Sequence, residues 1–328
     1  TYDTLREDYL RNRINRQFDL VVLDEAQYLK NRNSKRYHAA KLLKPKYTWA
    51  LTGTPLENSI EDVKSIFSLL KPNLIHQYED NPFAISRIIS PYMLRRLKRD
   101  VLKDLPPKTR QRYFLELTPE QQEEYDRVYQ AQRNGLIELS KSGKITKQHI
   151  FAVITALKQI CNFSEHGKSC KMDLLSEIID IIVQSGEKVV IFSQYTQSRG
   201  VIQIESGLSK RLRHTGPLRS VPVFLKITGD QSPNQRSINV QAFQEDQNTH
   251  VLIASIKAGG VGVTLTAASY VVHFDQWWNP AVMRQSEDRV HRFGLDHPII
   301  IYEFLVKNTI EERIYKLLEE KKQLAEDV

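Results

Sequence analysis

Asp24 and Glu25 stand directly behind Phe18-Asp19-Leu20-Val21-Val22-Leu23, a short apolar run that reads as a buried parallel strand delivering two acids at its end. Such a pair suits a nucleoside triphosphatase, in which one carboxylate holds Mg²⁺ and its neighbour orients or deprotonates the attacking water. The plain alternative is a strand end capped by two solvated acids. Near the other end of the chain, Gln285, Arg289 and Arg292 are spaced i, i+4 and i+7. On a helix they would share one face, where paired arginines can grip a transferring γ-phosphoryl group; a basic surface stripe is the competing reading. Gly259, Gly260 and Gly262 follow the apolar run 251–254. They allow a backbone to approach a phosphate closely, or simply make a tight loop, and their GGxG spacing is not the dinucleotide fingerprint.

Three weaker groups complete the inventory. Arg95 to Lys103 and Lys210 to His214 are basic segments that would bind nucleic-acid phosphates or face solvent. Trp277-Trp278-Asn279-Pro280 follows a strand ending at Asp275, so an indole could sit at a rim beside a nucleotide strand or pack into the core. Cys161, His166 and Cys170 match no zinc spacing, which favours ordinary structural roles and no metal.

The elements that must position these residues read as two α/β domains. Thr48-Trp49-Ala50-Leu51 is a strand that stops at Thr52-Gly53-Thr54-Pro55, and Ser34 to Leu43 has helical length. In parallel sheets chemistry collects at the carboxyl ends of strands, where both turns lie. From Ile60 to about Lys168 the pattern is mostly helical, with a capping box at Thr118-Pro119-Glu120-Gln121. Strand signals return at 188–193, 251–254, 270–274 and 298–302. Thr309-Ile310-Glu311-Glu312 opens a last helix with Ile310, Ile314, Leu317 and Leu318 on one face.

The 328 residues allow two domains, at about 150 residues each. A hydrophobic fraction of 41% and a charged fraction of 26% exclude disordered and collagen-like chains. The formal charge of +8 makes anionic partners plausible without naming them. No apolar stretch approaches the ~18 residues of a membrane span, and two cysteines fit a reducing, intracellular compartment.

Taken in order, these segments resemble the SWI/SNF-type helicase-like ATPases of helicase superfamily 2, over nearly the whole chain. Asp24-Glu25-Ala26-Gln27 resembles motif II, Leu51 to Pro55 motif III, Ile191 to Tyr195 motif IV, Lys257 to Thr266 motif V and Gln285 to Gly294 motif VI. Leu94 to Val101 with Leu105-Pro106-Pro107-Lys108, and Trp278-Asn279-Pro280, resemble blocks largely particular to this family. The resemblance implies an α/β fold of two RecA-like parallel-sheet lobes with helical insertions. Residues 1–117 would be the C-terminal part of lobe 1, 118–168 a helical linker and 169–328 lobe 2 with its C-terminal helix. The implied cofactors are ATP and Mg²⁺, with Asp24 on the metal through water, Glu25 activating water, and Arg289 and Arg292 reaching the nucleotide. Gly260 and Gln285 would complete the nucleotide contacts. Thr52 and Thr54 would couple nucleotide state to grip on double-stranded DNA, whose path Ser193, Gln194, Arg236, Lys257, Gly259, Gly260 and Trp278 would line.

The sequence departs from the family by lacking a GxxxxGK[ST] phosphate loop. The expectation is therefore a fragment starting just before motif II, inactive alone, whose partners are the upstream half of lobe 1, duplex DNA and a protein bound to it. The stretch 72–91 is also short, Lys257 stands where Arg is common, and Thr264 and Leu295 replace usual polar residues. A catalytically silent DNA-binding or docking module is the alternative function. Retention of both acids and both arginines argues for the motor, placed in the cytoplasm of a prokaryote or the nucleus of a eukaryote.

Overall fold

The structure is a computed structural model that describes residues 1–11, 17–53, 60–75, 80–96, 101–102, 104–197, 199–215, 224–256 and 263–326, the side chains of 211–215 and 321–326 excepted. It divides into two units, Thr1–Val101 and Leu102–Val328.

In the first unit β1 (Leu20–Leu23) and β2 (Tyr47–Ala50) pair in parallel, Leu20 opposite Tyr47 and Leu23 opposite Ala50. Successive side chains point to opposite faces of a strand. Leu23 accordingly meets Ala26, Leu29, Tyr37, Ala40 and Ile66 in a core, whereas Leu20, Val22, Tyr47 and Trp49 are exposed. Helices α1 (Tyr2–Leu10) and α2 (Lys35–Leu42) start at Thr1 and Ser34, whose hydroxyls accept from the Thr4 and Tyr37 N–H groups. Helices α3 (Ile60–Leu70) and α4 (Pro82–Ile89) share a second cluster of Val63, Phe67, Ile85 and Ile89.

The second unit is built on a six-stranded parallel sheet in the order β3-β8-β7-β4-β6-β5, made of β3 (Lys108–Leu115), β4 (Val189–Ser193), β5 (Phe224–Ile227), β6 (Val251–Ser255), β7 (Tyr270–His273) and β8 (Ile299–Val306). Every residue of β4 and β6 is buried, as central strands covered on both faces must be. One face packs on α7 (Cys170–Gln184) and α8 (Val201–Thr215) through Leu175, Ile179, Ile204 and Leu208; the other buries Phe192, Phe243 and Ile301, Phe243 coming from α9 (Pro233–Glu245). Each fully buried side chain of this size contributes about 1.5–3 kcal/mol. Helices α5 (Pro119–Lys141) and α6 (Lys147–Asn162) form a hairpin whose Tyr125, Leu157 and Ile160 pack with Val306 and with Ile310 of α11 (Ile310–Glu326). Between β7 and β8 lies α10 (Pro280–Glu287).

The stretch 60–168 is mostly helical, as expected, but it also holds β3, which pairs along its length with β8, from Lys108 opposite Ile299 to Leu115 opposite Val306, so that 102–117 fall in the second unit. Alternating charges hid this strand: Arg110 and Arg112 both donate to Glu303 of β8, ion pairs that suit an edge strand. The short β5 was also not anticipated. The Thr118 capping box is present, whereas at the last helix Glu312 reaches the Asn308 N–H and Thr309 Oγ1 serves Glu311 N–H. Leu317 is exposed and not on the buried face. No described helix is long and apolar enough to cross a membrane.

Candidate functional site

At the end of β1 the backbone turns sharply through Asp24 and Glu25. Glu25 adopts φ 51° and ψ 50°, a left-handed conformation uncommon for a residue with a side chain. Three bonds hold it there: Glu25 N–H donates to Asp24 Oδ1 at 2.9 Å, Leu51 N–H to the Leu23 carbonyl at 2.9 Å, and Ala26 N–H to the Leu51 carbonyl at 2.9 Å. The acid turn is thereby tied to the end of β2. Tyr2 adds a bond from its hydroxyl to the Asp24 carbonyl at 2.7 Å; burial, helped by the Asp24 and Glu25 charges, pushes its phenol up to about 12.

A side-chain relay runs beside this backbone tie. Gln27 Nε2 donates to Glu25 Oε2 at 2.6 Å, and Thr52 Oγ1 donates to Gln27 Oε1 at 2.6 Å. An amide, which donates at one end and accepts at the other, is the side chain that can join a carboxylate to a hydroxyl donor. Gln27 was not among the expected site residues, although its place three after Asp24 was visible. Asp24, Glu25, Thr52 and Gly53 line a cavity of about 530 Å³ together with Arg95 and Arg96. Asp24 is exposed and Glu25 half-buried, so oxygen donors face open space. Mg²⁺ is held by one or two carboxylates plus waters and substrate phosphates, and this donor set fits it. Thr54 lies outside the described residues.

In the second unit the expected arginine face is not formed. Helix α10 starts at Asn279, whose side chain accepts from Ala281 N–H at 2.9 Å, and stops at Glu287. Gln285 is therefore helical, Arg289 lies in the turn behind the helix, and Arg292 beyond it. Glu287 is wholly buried and accepts from Lys108 Nζ and Arg110 Nη2, each at 2.9 Å, with His273 Nε2 3.2 Å away. Burial alone would raise this carboxyl, but His273, Lys108 and Arg110 outweigh it and hold the group well below the usual carboxylate range. The Arg289 carbonyl then accepts from Leu265 N–H at 2.8 Å, and Arg292 Nη1 donates to Thr264 Oγ1 at 3.2 Å. Gly294, at φ +94°, turns the chain away and leaves Phe293 exposed.

The residues expected on the DNA path are placed unequally. Ser193 is a correction: it is fully buried and its hydroxyl is spent on Asp275 Oδ2 at 2.6 Å, so its side chain lines no surface. Gln194 is half-buried; its N–H donates to Asp275 Oδ1 at 2.9 Å and its Nε2 to the Gln276 carbonyl at 3.3 Å. Arg236 is half-buried on the first turn of α9, with its Nε unpaired among the described residues. Trp278 packs on α6, with Phe151 edge-on at 6.0 Å and Lys158 Nζ 4.9 Å from the ring. Lys257, Gly259 and Gly260 lie outside the described residues. Cys161 is buried, which raises its thiol, and His166 is exposed. Asp275, missed beforehand, was signalled only by an acid closing the apolar run 270–274.

Comparison with known proteins fits this geometry. Residues 1–166 match the SNF2-related domain and 170–294 the helicase conserved C-terminal domain. An uncharacterised ATP-dependent helicase of Mycoplasma pneumoniae is 33% identical over 99% of this chain and 32% of its own length. The mouse SWI/SNF-related matrix-associated actin-dependent regulator of chromatin subfamily A member 1 is 28% identical over 93% of the chain and 31% of its own. The Sulfolobus solfataricus SWI2/SNF2 ATPase core in complex with dsDNA is 31% identical, with a TM-score of 0.52 over 99% of this chain and 71% of that one. The chain belongs to the SWI/SNF family, with RecA-like lobes. It spans about a third of the length of the curated relatives it matches.

Proposed function

We propose that the natural protein hydrolyses ATP with Mg²⁺ and uses turnover to move along double-stranded DNA, remodelling or displacing protein bound there. The observation that carries this reading is the relay Glu25–Gln27–Thr52, which ties the acid that would handle the attacking water to the turn expected to sense DNA. Asp24 would hold the metal through water, and Glu25 would orient the nucleophile and take its proton. The bound metal would neutralise charge on the β- and γ-phosphates. Arg289 and Arg292 would stabilise charge on the transferring group, and Gln285 and Gly260 would complete the nucleotide contacts. Thr52, Thr54, Gln194, Arg236, Lys257, Gly259, Gly260 and Trp278 would face the duplex, with Ser193 acting through the turn it anchors. The duplex-bound state of the Sulfolobus solfataricus core supports DNA as the track.

The test is phosphate release by the natural protein in full, because the 328 residues carry no phosphate loop. Release stimulated by duplex DNA over single strands, and lost in Arg292→Ala, is the expected result. No turnover on any DNA, with ATP and duplex both bound, would overturn it.

A further inference from the structure

Four ionisable side chains are buried at or behind the carboxyl ends of β4 and β7. Asp275 Oδ2 accepts from Ser193 Oγ at 2.6 Å and Asn162 Nδ2 at 3.0 Å, and its Oδ1 from Gln194 N–H at 2.9 Å. Asn162, the last residue of α6, accepts on Oδ1 from Lys171 Nζ at 3.0 Å. Lys171 also donates to Glu311 Oε1 at 2.7 Å, and Glu311 Oε2 accepts the Val306 N–H at 3.2 Å. Lys158 donates to the Gln276 carbonyl. Lys171, Glu311, Asp275 and Lys158 are each essentially inaccessible to solvent.

Burying such charges costs several kcal/mol per ion, and apolar side chains of similar volume often hold a fold as well. The strain of burial is visible in Lys158, whose ammonium is pushed down chiefly by desolvation; Lys171 is held up against the same penalty by Glu311. What the chain of bonds does deliver is position. One acid, Asp275, fixes the Gln194 amide, and the next residue's carbonyl accepts from both Gln194 Nε2 and Lys158, which in turn lies over Trp278. Two residues expected on the duplex, on different strand ends, are thus held in register. The bonds through Asn162, Lys171 and Glu311 carry that register to the first turn of α11.

We propose that Asp275 is a positioning residue for duplex contact by Gln194 and Trp278, and that Asn162, Lys171 and Glu311 make its setting depend on the seating of α11. The proposal rests on the duplex reading above. A segment or partner that lifts α11 would loosen the grip on DNA without touching it.

The test compares the natural protein with Asp275→Asn and Glu311→Gln, reading duplex affinity by fluorescence anisotropy and amide exchange at Gln194 and Tyr195. Asp275→Asn is expected to weaken duplex binding about tenfold, the size of one charge-assisted hydrogen bond. Glu311→Gln, remote from both candidate contacts, is expected to weaken it about threefold and to speed exchange at Gln194, with the DNA-free hydrolysis rate kept. A Glu311→Gln protein that only melts earlier, with affinity and Gln194 exchange unchanged, would overturn the proposal, and it serves even if Asp275→Asn fails to fold. If the wild-type protein binds no duplex, the translocase reading fails on its own. Faster Gln194 exchange in Glu311→Gln would then still support the relay, and unchanged exchange would overturn that as well.

Discussion

Asp24 and Asp275 stand in similar places, each just past the carboxyl end of a parallel strand, yet their surroundings are opposite. Asp24 is exposed, receives one hydrogen bond from the next residue and lines an open cavity. Asp275 is sealed from solvent and its oxygens accept from Ser193, Asn162 and Gln194. An exposed carboxylate with most of its lone pairs left over can serve a metal or a water; a sealed one that already accepts three hydrogen bonds is suited to holding its neighbours still. The position at the strand end is shared, and exposure with unfilled acceptor sites is what separates the residue proposed for chemistry from the one proposed for positioning.

The sharpest way to break this contrast is Glu25→Gln, which removes the base proposed beside Asp24. ATP hydrolysis should fall about 10²–10⁴-fold in phosphate-release assays, while duplex affinity is retained; retention of turnover would take catalysis away from the acid turn. In the buried region the largest effect is on stability. Lys171→Met leaves Glu311 without its ammonium and should cost about 3–5 kcal/mol in urea unfolding. The double variant Lys171→Met with Glu311→Leu should recover most of that, and a double variant as unstable as the single would contradict the ionic account. Gln27→Ala cuts the relay on the exposed side. It should cost only about 0.5–1.5 kcal/mol yet lower the stimulation of hydrolysis by DNA more than the DNA-free rate.

The smallest effect concerns Tyr2. Its folded-state pKa is raised from 10.0 to about 12, so the stability it contributes is present below pH 10 and lost as pH rises between these values. Tyr2→Phe should therefore flatten the alkaline limb of a stability profile and leave its neutral and acid parts parallel to wild type. An unchanged alkaline limb would show that burial of the Tyr2 phenol beside the Asp24 and Glu25 charges does not govern that range.

The apolar strands β1, β4, β6, β7 and β8 were legible because continuous Val, Leu and Ile runs mark parallel strands. So was the acid pair, which needs only a strand and its end. What escaped was set by distant partners. β3 reads as a charged stretch until Arg110 and Arg112 meet Glu303, 193 and 191 residues along. The helical spacing of Gln285, Arg289 and Arg292 also did not show where α10 ends, at Glu287, a residue whose distant partners are Lys108 and Arg110. Ser193 was assigned by its motif to a surface, and only the position of Asp275 shows it buried.

The most direct test of the central claim is displacement of a third strand annealed to duplex DNA, followed by gel shift with the natural protein and ATP. The account predicts ATP-dependent displacement that Glu25→Gln abolishes and that leaves the underlying duplex intact. A third strand that stays in place while the protein hydrolyses ATP on the same DNA would contradict it.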